Sequence, residues 1–158
     1  MPQAGDTIES PITGGQLRLG YTHDQCSLTR QQTMNTPVYD ALVPMLPVSD
    51  VKRAMAFYQQ LGFSVGNTHA PDDASDPVWA WLYCGGAHVM INLAERAIDV
   101  THGSAAVWLY CADVNAMHAL LKARGLDVGE VSYPFYNPRG EFHVHDPDGY
   151  AIFIAHGE

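Results

Sequence analysis

From Val51 to Leu61 the apolar residues Val51, Ala54, Met55, Phe57, Tyr58 and Leu61 recur at the spacing of one helix face. Ser49-Asp50 offers a side-chain oxygen to cap that helix, and Gly62 stops it. Phe63-Ser-Val65 then opens a strand. Val78 to Cys84 reads as a strand, Gly85-Gly86 reverses the chain, and Ala87 to Leu93 returns. Alternation puts His88, Met90 and Asn92 on one face of the return strand and Val89, Ile91 and Leu93 on the other. Upstream, Tyr39 to Val48 is an apolar run broken by Pro44 and Pro47. Proline cannot donate to a sheet ladder, so this run is expected at an edge. Asn67 to Pro77, with two prolines and three aspartates, is expected to be a loop.

The same order of patterns then begins again. Ala105 to Cys111 is a strand, and Asp113-Val114 opens a helix with Met117, Leu120 and Leu121 on its apolar side. Gly125 ends it, and Leu126-Asp-Val128 opens a further strand. Asp50 to Gly62 and Asp113 to Gly125 each span twelve positions. A hairpin closes each half. In the second it is Glu141 to His145 and Tyr150 to Ile154 around Asp146-Pro-Asp-Gly149, where proline presets the turn and glycine completes it. Phe142 and Val144 share one face of this hairpin, and Glu141, His143 and His145 the other. The repeat is about 60 residues long, strand–helix–strand–hairpin, and one unit is too small to bury its own sheet face. Two units side by side solve that problem, and the space between their concave faces is the expected cavity. The fold class is therefore α+β.

Composition narrows the function. The 158 residues suit one domain with an extension, and the 47% of hydrophobic residues suffice for a core. The first 38 residues, rich in polar residues and without sustained periodicity, are expected to form a poorly ordered extension ahead of a domain at 39–158. Its modules are expected at 39–95 and 103–158. A net charge of −9 argues against nucleic acid and favours a cationic ligand. The three cysteines show no C-x-x-C spacing and read as reduced thiols. No apolar run approaches a membrane span, and the N-terminus has no basic stretch followed by an apolar one, so a cytoplasmic location is expected.

Pro47-Val-Ser-Asp-Val51, Ala56-Phe-Tyr-x-x-Leu-Gly-Phe63, the Gly125-Leu-x-Val turn and Asp146-Pro-Asp-Gly149 together resemble the vicinal oxygen chelate superfamily. That superfamily includes glyoxalase I, extradiol dioxygenases, fosfomycin-resistance enzymes and bleomycin-resistance proteins. The resemblance implies two βαβββ modules forming a curved mixed sheet around a cavity. Its metal-dependent members carry two His and one or two Glu at positions that fall here on Val43, on Val107 within one position, on Met90 or Asn92, and on Phe153. None of these is a charged or imidazole donor, so the family's metal centre is expected to be missing and no cofactor is expected. The stretch Gly140-Glu-Phe-x-Val-x-Asp-Pro-x-Gly149, with Trp108, Asp113 and His118, is similar to the metal-free bleomycin-resistance proteins. Those are dimers that sequester a large cationic glycopeptide, so the resemblance implies a homodimer whose partner is a small molecule.

Trp79 and Trp81 share a strand face and could stack a flat ligand, or could cover the core beneath a helix; Trp108 carries the same ambiguity. Glu141 and His143 are expected to look into the cavity, and Tyr136 and Arg139 lie in a proline-bounded loop that could close its mouth. The expected lining is Trp79, Trp81, Met90, Asn92, Trp108, Glu141, His143 and Phe153. The lead expectation is a metal-free protein that sequesters a small molecule, with a cationic antibiotic as one candidate, and with no catalytic residue. The rival is a metal-dependent lyase or dioxygenase with relocated ligands such as His88, His143 and His145. A metal-free isomerase or lyase using Glu141 or His143 as general base stays open beside them.

Overall fold

The structure, a computed structural model, describes residues 40–99 and 105–157. The expected N-terminal extension lies outside the described residues. In chain order the elements are β1 (Met45–Val48), α1 (Val51–Gln60), β2 (Ser64–His69), β3 (Trp79–Cys84), β4 (Ala87–Leu93), β5 (Val107–Cys111), α2 (Val114–Ala123), β6 (Glu141–His145) and β7 (Ala151–His156). The first half makes a four-stranded sheet in the order β1-β4-β3-β2, and the second a three-stranded sheet in the order β5-β7-β6. In each sheet the opening strand pairs in parallel with the last strand of its module, β1 with β4 and β5 with β7. The other pairings are antiparallel. The two helices of this mixed α+β arrangement fall where the two twelve-residue spacings predict them, while the second sheet has one strand fewer than the first.

The two helices start alike because their caps are alike. The Asp50 carboxylate accepts from the Arg53 amide at 2.9 Å, and the Asp113 carboxylate from the Ala116 amide at 2.9 Å. Each helix turns its apolar stripe to its own sheet. Val51, Ala54 and Tyr58 bury against Leu46, Val48, Ala80, Leu82, Val89 and Ile91; Val114 and Leu121 bury with Phe142, Val144, Ile152 and Ile154. These residues form one continuous core shared by both modules. Two arginines cross the junction: Arg53 Nη2 donates to Asp148 Oδ1 at 3.1 Å, and Arg124 Nη1 donates to the Gln60 carbonyl at 2.8 Å.

Three expectations need correction. The opening strand is shorter than the run Tyr39 to Val48, beginning only at Met45, after Pro44. β2 continues to His69, three positions into the stretch expected to be loop, because its ladder to β3 outweighs the polar composition. Leu126 to Val128 does not open a regular strand. That segment meets β6 through the Gly129 amide on the His143 carbonyl and a single bridge of Ser132 to Glu141. Pro134 and Pro138 follow and lack the amides a ladder needs.

The Asp146-Pro-Asp-Gly149 turn carries a testable load. Asp146 Oδ1 accepts from the amides of Asp148 at 3.0 Å and Tyr150 at 2.8 Å, while Asp146 Oδ2 and the Tyr58 hydroxyl are buried without a partner among the described residues. Burial pushes the Asp146 carboxyl above the usual carboxylate range. A raised folded-state pKa means that the folded chain holds this proton more tightly. Its contribution is full below the ordinary carboxylate pKa and is lost as pH rises through the raised value. Asp146→Ala strands two amides and should cost about 1–3 kcal/mol, whereas Asp146→Asn keeps the acceptor and should stay within about 1 kcal/mol. Urea melts across pH 3 to 8 should show a shallower loss of stability with rising pH in the asparagine variant (about 1 kcal/mol or less in all).

Candidate ligand-binding site

Strand alternation leaves each sheet a second face, turned away from the shared core. On the four-stranded sheet this face carries Met45 beside Met90, Met90 beside Trp81, Asn92 between Pro47 and Trp79, and Tyr83 beside His88. Trp79 and Trp81 are half-buried here and do not lie under α1. The Trp81 ring lies 5.5 Å from the His88 ring at an interplanar angle of 9°, and 5.7 Å from Tyr83. Gly66 makes this possible. A Cβ there would come within 2.6 Å of the Trp81 ring, and the register of β2 shifts at this point, as at a bulge. His88 Nδ1 and Asn92 Oδ1 lie buried on this face without partners among the described residues.

On the three-stranded sheet the rows are Trp108–Phe153–His143 and Tyr110–Ala155–Glu141. Trp108 stacks on Phe153 with centroids 4.3 Å apart and planes 5° from parallel, yet keeps 42% of its surface exposed. His143 leans on Phe153 at 5.7 Å and meets His145 edge-on at 5.2 Å. Beside this face runs a groove of about 730 Å³, lined by Trp108, Tyr110, Tyr136, Asn137, Pro138, Arg139, Glu141, His156 and Gly157. Glu141 is only 4% exposed at its wall. The Tyr136 hydroxyl donates to Glu141 Oε1 at 2.8 Å, and this bond holds the phenol above its usual pKa. Asn137 Nδ2 donates to the Gly140 carbonyl at 3.1 Å, and the Arg139 guanidinium donates to the Gly157 carbonyl. Gly140 adopts φ +100° with its Cα against the Tyr133 ring, where a Cβ would come within 2.8 Å.

The eight expected lining residues thus fall into two sets. Trp79, Trp81, Met90 and Asn92 share one open face, and Trp108, Glu141, His143 and Phe153 share the other. The expected cavity between the two repeats joins neither set to the other in the grooves described. The 730 Å³ groove belongs to the second module. A groove of about 600 Å³ runs along Met45–Pro47, Asn92 and residues 94–99, with Ala105 and Tyr150. Where the modules do meet, the crevice is lined by core-side residues such as Phe63, Leu109 and Leu121. Tyr136 and Arg139 border this second-module groove and not a cavity between the repeats. Tyr110, 71% exposed in the same groove, was not singled out, although its x-Trp-x-Tyr alternation with Trp108 marks it.

The register corrects the positions compared with metal ligands. Val43 precedes β1, and Val107 lies opposite Ile152 on the core side. The open-face positions are Met45 opposite Met90 and Trp108 opposite Phe153. Two thioethers and two aromatic rings do not fit the harder divalent cations, which take imidazole and carboxylate donors. The rival set is not assembled either: His88 stands on β4, and His143 and His145 on β6 of the other sheet. Among the described residues no group of three or more His, Cys, Asp or Glu could hold a metal ion.

Solved structures share this architecture. A bleomycin-binding protein complexed with bleomycin is 20% identical, with 76% of this chain and 100% of that one covered at a TM-score of 0.63. The bleomycin-binding protein of Streptomyces verticillus, complexed with copper(II)-bleomycin, is 23% identical, covering 78% of this chain and 100% of that one at 0.61. A lactoylglutathione lyase from Agrobacterium tumefaciens is 18% identical, covering 77% and 96% at 0.57. No curated protein matches the chain. At these identities the likeness speaks for the fold, which binders and a lyase both use. No helix among the described residues is long and apolar enough to cross a membrane. Residues 40–154, which span both modules and both open faces, match one family along their whole length, so the chain belongs to the Glyoxalase/Bleomycin resistance protein/Dioxygenase superfamily.

Proposed function

We propose that this protein binds a cationic molecule of the antibiotic type, one that offers flat groups for stacking, by contact alone, without a metal, and acts by sequestration. The observation that carries the reading is the pair of apolar positions on each open face: Met45 with Met90, and Trp108 stacked on Phe153. Stacked rings offer a flat ligand a large contact area at little entropic cost. Trp79 and Trp81 would grip from the other sheet, with Asn92, Glu141 and His143 orienting the ligand's polar groups. The chain's net charge of −9 draws cations toward it. Structural neighbours that bind bleomycin lend the reading support.

A homodimer belongs to the same proposal. Each sheet has edge strands at both ends, β1 and β2 in the first and β5 and β6 in the second. Such edges invite pairing with another chain. A second copy would set the Trp79–Trp81 face of one protomer against the Trp108–Phe153 face of its partner, which the shared core prevents within one chain. The test is a titration of metal-free bleomycin followed by tryptophan fluorescence, on protein whose mass is measured by sedimentation. A saturable quench, with one ligand per protomer on a dimer, is expected. No spectral change at millimolar ligand counts against antibiotic binding.

A further inference from the structure

Stacking leaves the Glu141 wall of the 730 Å³ groove without a task. Glu141 is buried there, yet among the described residues no lysine or arginine pairs with it: the ion pairs are Lys52 with Asp76 and Arg53 with Asp148. Arg139 borders the same groove, but its guanidinium is held by the Gly157 carbonyl. His156 also borders it, with Nδ1 2.6 Å from the Gly157 carbonyl oxygen. Among the described residues, what meets the carboxylate is one neutral hydrogen bond from Tyr136. A carboxylate can accept about four hydrogen bonds, and a buried one gains most from a charged donor. Around it stand Trp108, Tyr110 and Tyr136, whose ring faces attract cations. Tyr136 rides on the segment Tyr133-Pro-Phe-Tyr-Asn-Pro138, in which Phe135 is 97% exposed. The two prolines stiffen this strap, and it stands over the groove tied down through Tyr136 and Asn137.

We infer that this groove is a seat for a protonated primary or secondary amine, taken by Glu141 between Trp108 and Tyr110, and that Tyr136 is a latch which fills the seat until the amine displaces it. The inference rests on the binding-protein reading and names the ligand group that the second module takes. An ammonium with N–H groups satisfies the carboxylate by charge and by hydrogen bonds together. A quaternary ammonium brings the charge alone, and an alcohol brings one neutral bond that merely replaces the one from Tyr136.

The test uses three probes with the same ring: benzylammonium, benzyltrimethylammonium and benzyl alcohol, titrated against the full chain while the Trp108 indole resonance is followed. Benzylammonium should bind at least about tenfold more tightly than either control. Glu141→Gln, which keeps shape and acceptor, should abolish that preference. Tyr136→Phe should tighten benzylammonium about three- to tenfold, because the competing hydroxyl is gone and the ring remains. Equal affinities for the three probes overturn the seat. Weaker benzylammonium binding in Tyr136→Phe, with an unchanged spectrum elsewhere, overturns the latch. If bleomycin binds the parent and Glu141→Gln equally well, the seat is wrong and the binder stands. If bleomycin does not bind at all, the benzylammonium series still decides the seat by itself.

Discussion

Trp108→Ala should weaken bleomycin binding about thirtyfold, the equivalent of about 2 kcal/mol, with no loss of the fold. The ring is stacked on Phe153 at 4.3 Å and still 42% exposed, so it stands ready for a second flat partner on its free side. Its removal leaves Phe153 and His143 in place, because these are held by the β6–β7 ladder and not by the indole. Calorimetric titration of the variant, with its melting curve alongside, separates lost contact from lost structure. A Trp81→Ala variant is a less clean probe. Trp81 also covers Gly66 and stacks on His88, so its loss should disturb the sheet as well as the grip.

Phe142→Ala should be the costliest single change in the second module, about 3–5 kcal/mol. Phe142 is 1% exposed and meets the His118 ring edge-on at 5.1 Å, which joins β6 to α2. Its strand neighbours Glu141 and His143 point the other way, into the open face. Core and site therefore share one strand, and a cavity on one side loosens the groups on the other. Urea denaturation should show the loss of stability, and ligand affinity should fall with it. In Trp108→Ala affinity falls alone, and that contrast separates a residue that holds the sheet from one that uses it.

The helices and hairpins were legible because their signals are local. Asp50 and Asp113 cap, Gly62 and Gly125 stop, and the apolar stripe between them has one period. The glycine turn between β3 and β4 and the proline–glycine turn at Asp146 to Gly149 are equally local. Which face of β3 meets a helix was not legible. Trp79 and Trp81 alternate with Ala80 and Leu82, and either pair is apolar enough to be core. Only the packing of α1 decides, and it takes the smaller side chains. The missing strand after Gly125 has a similar cause: Leu126-x-Val128 repeats the pattern of the first module, but the prolines that prevent a ladder come six and ten positions beyond Val128. The site was half legible. Alternation sorted the eight expected residues onto their strand faces but passed over Tyr110 of β5, and which faces a ligand would meet depends on contacts far apart in sequence.

The direct test of contact without coordination is a paired calorimetric titration. Bleomycin is added to protein stripped with a chelator and dialysed, and to the same protein after incubation with Zn²⁺, Ni²⁺, Mn²⁺ or Fe²⁺ and removal of the excess. With Met45, Met90, Trp108 and Phe153 paired across the open faces, the isotherms should superimpose and no metal should remain on the protein. Binding that appears only in the metal-treated sample, with one equivalent of metal retained per protomer, would contradict the account.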